Sequence, residues 1–143
     1  MLIIKAIETV SELDSVLDLC YRVLGDDNPE LYGRDAWHKR FADGLQPMVC
    51  AQSNEKIISA VLGRRESAES LVIGFVACDE NFRGQGITKK LMAYFEELAT
   101  KMGYKYITLG SKEDVSTRSA ATSAFSRFTG RAFIRKFYNV ACD

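Results

Sequence analysis

Asn81-Phe82-Arg83-Gly84-Gln85-Gly86-Ile87-Thr88 is the stretch on which the fold turns, because of what flanks it. Ahead of it lies Leu71-Val72-Ile73-Gly74-Phe75-Val76-Ala77-Cys78, an apolar run of strand length. Behind it, Ile87, Leu91, Tyr94, Phe95, Leu98 and Met102 recur at spacings of three and four, the stripe of an amphipathic helix. A strand that turns through glycines into a helix start leaves several backbone N–H groups unpaired and aimed the same way. The helix dipole favours negative charge there, so the turn suits phosphate oxygens. Gly84 and Gly86 let a ligand approach the main chain and make positive φ available. Arg83 adds a guanidinium able to make forked contacts to phosphate. The spacing excludes a P-loop, since no Gly-Lys-Ser/Thr follows, and the third glycine of the dinucleotide fingerprint is missing. The local expectation is a pyrophosphate cradle.

The rest of the chain supplies elements around that turn. Residues 2–8 read as a first strand. Thr9-Val10-Ser11-Glu12 fits a capping box. The helix it opens carries Leu13, Val16, Leu17, Cys20 and Leu24 on one face and stops at Gly25. Asp26-Asp27-Asn28-Pro29-Glu30 reads as a loop. Residues 34–45 form a short second helix with Trp37 and Phe41. Strands are expected over 48–52, 56–64 and 70–78, with Ser53-Asn54 as the first hairpin turn and a polar second turn over 66–69. Gly103 ends the helix that begins at Ile87, and a strand follows over 104–109. A helix over 117–129, closed by Gly130, and a last strand or strand pair over 132–141 complete a mixed α/β order.

Composition agrees with a globular domain. At 143 residues the chain fits one domain with a sizeable core. Its 19 basic and 19 acidic side chains cancel, which gives no support for sequence-independent nucleic-acid binding. No apolar run approaches the roughly 18–20 residues that span a bilayer. Met1-Leu2-Ile3-Ile4-Lys5 lacks the layout of a signal peptide, so the expected compartment is cytoplasmic. Cys20, Cys50, Cys78 and Cys142 are scattered, and His38 stands apart from them, so no metal-ligand spacing exists. Reduced thiols, mostly small core residues, are the expectation.

With its flanks included, Arg83-x-x-Gly86-x-Thr88, followed by Leu91-Met92, resembles the acetyl-CoA-binding motif of the GNAT N-acetyltransferase superfamily, Gln/Arg-x-x-Gly-x-Gly/Ala. Thr88 departs from the last position. The element order is also similar across most of the chain. The resemblance implies a single domain over 1–143, built on a mixed, mainly antiparallel sheet. That sheet is flanked by helices and splayed at the acetyl-CoA site. It implies direct transfer of an acetyl group from acetyl-CoA to a primary amine. The alternative from another class is a non-catalytic acyl-CoA-binding or regulatory module. By the same resemblance, Phe75, Val76, Ala77 and Cys78 pair with the pantetheine amides, with the N–H of Val76 or Ala77 polarising the thioester carbonyl. Arg83, Gly84, Gln85, Gly86, Ile87 and Thr88 face the pyrophosphate, and Lys89 or Lys90 meets the 3′-phosphate. A homodimer follows from family habit.

The catalytic residues depart from the family pattern. Aligned on Gly130, the position of the family's late tyrosine acid is Ser126, its closing phenylalanine is Arg131, and the asparagine seven residues earlier is Ser119. Serine is a far weaker acid than tyrosine, which leaves Ser126 a role in holding a water or the sulfur and makes Tyr138 the substitute donor. Glu66, Glu69 and Asp79 border the cofactor strand, and Glu69 is the expected base. On the acceptor side, Asp26, Asp27 and Glu30 concentrate negative charge beside Tyr32, which suits a cationic amine. Trp37 and His38 stand next to that loop.

Overall fold

The computed structural model describes residues 1–25 and 28–109 (side chains through 108) and the backbone of 126–127. Among the described residues six strands form one sheet in sequential order: β1 (Leu2–Ala6), β2 (Met48–Ser53), β3 (Lys56–Arg65), β4 (Ser70–Cys78), β5 (Tyr106–Leu109) and β6 (Ser126–Arg127). Every neighbouring pair is antiparallel except β4 and β5, which run parallel. Parallel neighbours need a crossover. Here α4 (Ile87–Lys101) provides it, packing its Leu91, Met92, Phe95 and Ala99 onto one face of the sheet. The other face is covered by α1 (Val10–Leu24), with α2 (Pro29–Tyr32) and α3 (Arg34–Asp43) beside it. The mixed, mainly antiparallel sheet between helices is the fold expected from the sequence. Among the described residues no helix is long and apolar enough to cross a membrane.

Local chemistry accounts for most boundaries. Thr9 and Glu12 close the expected capping box: Glu12 N–H donates to Thr9 Oγ1 at 3.1 Å and Thr9 N–H to Glu12 Oε1 at 3.3 Å. Two readings are corrected. The 26–30 segment is not all loop, because Asn28 caps a single helical turn with Pro29 at its first position. The first hairpin turns on Asn54 and Glu55, both at positive φ, which leaves Ser53 paired in the strand.

Beyond Leu109 only Ser126 and Arg127 are described, and they pair with β5 as a strand where a helix was expected. The strands expected over 132–141, and with them Tyr138 and Cys142, lie outside the described residues. Cys20, Cys50 and Cys78 are buried free thiols.

One irregularity positions everything functional. In the β3–β4 ladder Leu62 pairs with Phe75 and Gly63 with Ile73, so Gly74 is the extra residue of a bulge. The side-chain phase of β4 shifts by one across it. Leu71 and Ile73 face α4, whereas Phe75 and Ala77 face α1 and α3. Pairing between β4 and β5 runs from Ser70–Tyr106 to Ile73–Leu109 and stops at that bulge.

Candidate functional site

From Gly74 to Cys78, β4 has β3 on one side and no strand partner on the other among the described residues. Backbone direction alternates along a strand, so its N–H and C=O groups divide between the two edges. Three hydrogen bonds fix which is which. Asp79 N–H donates to Ile58 O at 2.8 Å and Ser59 Oγ to Ala77 O at 2.9 Å, both toward β3. Arg83 Nε donates to Cys78 O at 3.2 Å, on the opposite side. Phe75 and Ala77 therefore turn their amides to β3, and Val76 and Cys78 turn theirs to the open edge. Of the four residues expected along the pantetheine arm, the geometry aims Val76 and Cys78 into the gap. Phe75 and Ala77 back it with buried side chains.

The open edge leads into the glycine turn. Asp79 and a single 3-10 turn, Glu80–Phe82, connect β4 to Arg83. Gly84 and Gly86 sit at φ +78° and +75°, conformations that any Cβ would strain. A Cβ at either position meets nothing within 4 Å, so the space before the turn is open. Gly86 is the N-cap of α4 and brings no side-chain oxygen to the first turn. Among the described residues no side chain caps the N–H groups of the turn, which leaves them for an external acceptor. Ile87 and Thr88 contribute main chain only. The Ile87 side chain packs with Ala51 and Ile58, and Thr88 is buried with its hydroxyl against Cys78 Sγ. Arg83, Gln85, Lys89 and Lys90 are exposed at the rim.

The turn is braced from behind. Arg22 on α1 reaches Glu80 with Nη1 at 3.2 and 3.3 Å and Asp79 with Nη2 at 3.2 Å, and Lys56 Nζ lies 3.4 Å from Asp79. Asp79 is 1% exposed. The Asn81 N–H on its carboxylate, with Arg22 and Lys56 adding, holds its pKa below the usual carboxylate range against the opposing effect of burial. Such a group anchors and does not accept a proton near neutral pH. Glu69, the expected base, is exposed and pairs with Lys105 at 2.9 Å at the foot of β4. At about 3.3 Å per residue it lies roughly 20 Å along the strand from Val76, too far for hydrogen-bond reach. Glu66 is exposed in the turn before β4. Burial pushes the Cys78 thiol up, which excludes a thiolate nucleophile there. Ser126 sits in the backbone row of Ile107 and Leu71, level with the paired half of β4. Asp26 and Asp27 lie outside the described residues, and Glu30 is exposed on α2.

Tyr32, by contrast, reaches the strand. Its ring stacks on Trp37 at 5.9 Å and lies 5.4 Å from Phe75, and Tyr21 Oη fixes it by donating to Tyr32 O at 2.8 Å. A Cβ on Gly74 would meet Tyr32 and Trp37 at 2.9 Å, so this aromatic wall abuts the bulge itself. Trp37 is fully buried, and His38 is half-buried, held against α1 by Asp14 at 2.7 Å. Sequence reasoning missed Arg40 and Arg64. Their guanidinium carbons stand 6.0 and 5.7 Å from the centre of the Tyr32 ring.

A family model described as the acetyltransferase (GNAT) family matches residues 11–124. Comparison with curated protein sequences gives no match. Among solved structures, a GNAT family acetyltransferase from Elizabethkingia anophelis with acetyl-CoA bound is 21% identical, with a TM-score of 0.59 over 83% of this chain and 70% of that one. An aminoglycoside acetyltransferase from an uncultured soil metagenomic sample, in complex with sisomicin, is 18% identical (TM-score 0.64, 88% and 91% covered). The ribosomal-protein-S18-alanine N-acetyltransferase from Escherichia coli is 17% identical (TM-score 0.59, 86% and 75% covered).

Proposed function

Because the chain belongs to the GNAT acetyltransferase family over residues 11–124, we propose that it transfers an acetyl group from acetyl-CoA directly to a primary amine, as one domain over 1–143. One observation carries the reading: the edge of β4 beyond Gly74, which no described strand pairs, runs straight into a helix start without a side-chain cap, reached through two glycines at positive φ. A long ligand with amides along its middle and phosphates at one end fits that edge and that turn together. The N–H groups of Gly84, Gln85, Gly86, Ile87, Thr88 and Lys89 hold the pyrophosphate, with the exposed face of Arg83 beside them. Val76 and Cys78 pair with the pantetheine amides.

The chemistry asks little of side chains. The neutral amine nitrogen attacks the thioester carbonyl and the C–N bond forms. The C–S bond then breaks, and the proton lost by the nitrogen passes through solvent water to the departing CoA thiolate, leaving amide and free thiol. The N–H of Val76, on the open edge, is the donor for the carbonyl oxygen as it gains charge. A thiol of pKa near ~8.5 is a fair leaving group without an enzymic acid, so serine at position 126 is compatible with turnover. Orientation in the cleft supplies the larger part of the acceleration. The acceptor enters from the Tyr32 side, where the exposed Glu30 on α2 adds negative charge. Amines bound or modified by the structural neighbours, an aminoglycoside and a protein alanine, support an amine as the acceptor class.

Calorimetric titration with acetyl-CoA, beside dephospho-CoA and a nicotinamide dinucleotide, is the test. Micromolar binding selective for acetyl-CoA, followed by amine-dependent thiol release, is the expected result. Binding without release from any amine points to the non-catalytic acyl-CoA module. A folded protein that binds none of the three overturns both.

A further inference from the structure

Four buried side-chain polar atoms on the α1–α3 face of the sheet have no hydrogen-bond partner among the described residues: Trp37 Nε1, Arg40 Nη1, Arg64 Nε and Thr108 Oγ1. They belong to one neighbourhood. Arg40 lies over the Trp37 ring at 4.5 Å, and both guanidinium groups flank Tyr32. Arg64, Val72 and Thr108 form one cross-strand row beside the Gly74 bulge. Leaving such groups unpaired is costly, and native structures rarely do so repeatedly in one place.

The contrast within the molecule sharpens the point. Arg22 and Arg34, on the same side of the sheet, are each paired with two carboxylates. Arg40 and Arg64 form no ion pair with any described residue. Burial, with the charge of Arg64 adding, lowers the pKa of Arg40, yet a guanidinium stays protonated. Two cations are therefore held near each other on an aromatic wall without an ion-paired anion among the described residues. Indole and guanidinium nitrogens only donate, so whatever satisfies them must accept. The planar fork of arginine matches a carboxylate. This wall meets the opposite end of the open β4 segment from Gly84 and Gly86, which makes it a second anion site separate from the phosphate cradle.

We propose that Arg40 and Arg64 are the carboxylate subsite of the acceptor, so that the amine acetylated by this chain also bears a carboxylate, as an amino acid or short peptide does. The proposal rests on the acetyl-transfer reading and names its substrate class. Trp37 is the sole tryptophan, so its emission reports on the subsite directly.

The full chain, saturated with CoA, is titrated with N-acetylglycine and N-acetylglutamate and with their amides, following Trp37 fluorescence. The acids are expected to half-saturate at a concentration lower by about tenfold or more, the size of a lost charged hydrogen bond. Arg64→Gln and Arg40→Gln, each made separately, are expected to erase that preference while calorimetry shows unchanged acetyl-CoA affinity. Equal response to acid and amide, no response to either, or a preference that survives both substitutions overturns the proposal. Failure of the wild-type chain to bind acetyl-CoA is a separate outcome, and it overturns the acetyl-transfer reading on which the subsite depends.

Discussion

Arg83 does two things at once. Its Nε ties the turn back to Cys78 O at 3.2 Å, and its remaining donors face outward from an exposed position. Hydrogen bonds to charged groups contribute about 1.5–3 kcal/mol, so Arg83→Ala is expected to weaken acetyl-CoA binding tenfold or more by calorimetry. Affinity unchanged in the folded variant would remove the guanidinium from the cradle. Gly86→Val acts on a different physical quantity. No described atom lies within 4 Å of a Cβ there. The cost is the φ of +75°, together with methyl groups placed where the ligand approaches the backbone. Gly86→Val is therefore expected to bind more weakly than Arg83→Ala. A Gly86→Val protein with near-normal affinity would show that no phosphate comes close to the main chain.

The elements were legible where chemistry is local, and the bulge shows why the rest was not. The Thr9 and Glu12 capping box and the strand Ser70–Cys78 could be read because each is written in neighbouring residues. Residues 71–78 are nearly all apolar, so they carry no alternation from which a one-residue phase shift could be seen. Gly74 was the available signal, since a lone glycine inside a strand marks a bulge or a close approach. It serves as both. A Cβ there meets Tyr32 and Trp37 at 2.9 Å, so Gly74→Ala is expected to destabilise by about 1–3 kcal/mol in denaturant unfolding. A neutral result would mean that the aromatic wall yields easily. Arg40 and Arg64 were illegible because neither their spacing nor their neighbours in sequence differ from those of solvated arginines. The Asp79 brace was equally hidden, since Arg22 and Asp79 are 57 residues apart. The lowered pKa of Asp79 gives that brace a pH signature. A carboxylate depressed in the folded state contributes stability above its unfolded pKa of about 3.9 and loses it as pH falls through the folded value. The Tm advantage of the wild type over Asp79→Asn is thus expected to be full at pH 6 and to shrink below pH ~4. An advantage independent of pH would assign the brace to shape and not to charge.

At the scale of the whole molecule, the described sheet is two ladders joined by a short seam. β1 to β4 form a continuous antiparallel ladder, and β5 with β6 connects to it only through the pairs from Ser70–Tyr106 to Ile73–Leu109. A four-residue β5 held at one end of a splayed edge is expected to open more readily than the buried strands β2 and β3. A ligand lying along the open half of β4 bridges the gap and extends the seam toward the glycine turn. Its effect then reaches beyond the groups it touches. At a hundredfold excess over Kd, binding adds about 2.7 kcal/mol to stability. For a domain of this size that raises Tm by roughly 5–10 °C. The distribution of that stabilisation is the sharper prediction. On saturation with acetyl-CoA at a hundredfold excess over Kd, exchange at Met48–Ser53, which follows global unfolding, is expected to slow about a hundredfold, and exchange at Tyr106–Leu109 to slow by as much, because opening of β5 also undoes binding. Slowing at Met48–Ser53 and in the first turn of α4 but not at Tyr106–Leu109 would mean that the phosphates bind while the pantetheine arm lies elsewhere, and the open edge of β4 would lose its role.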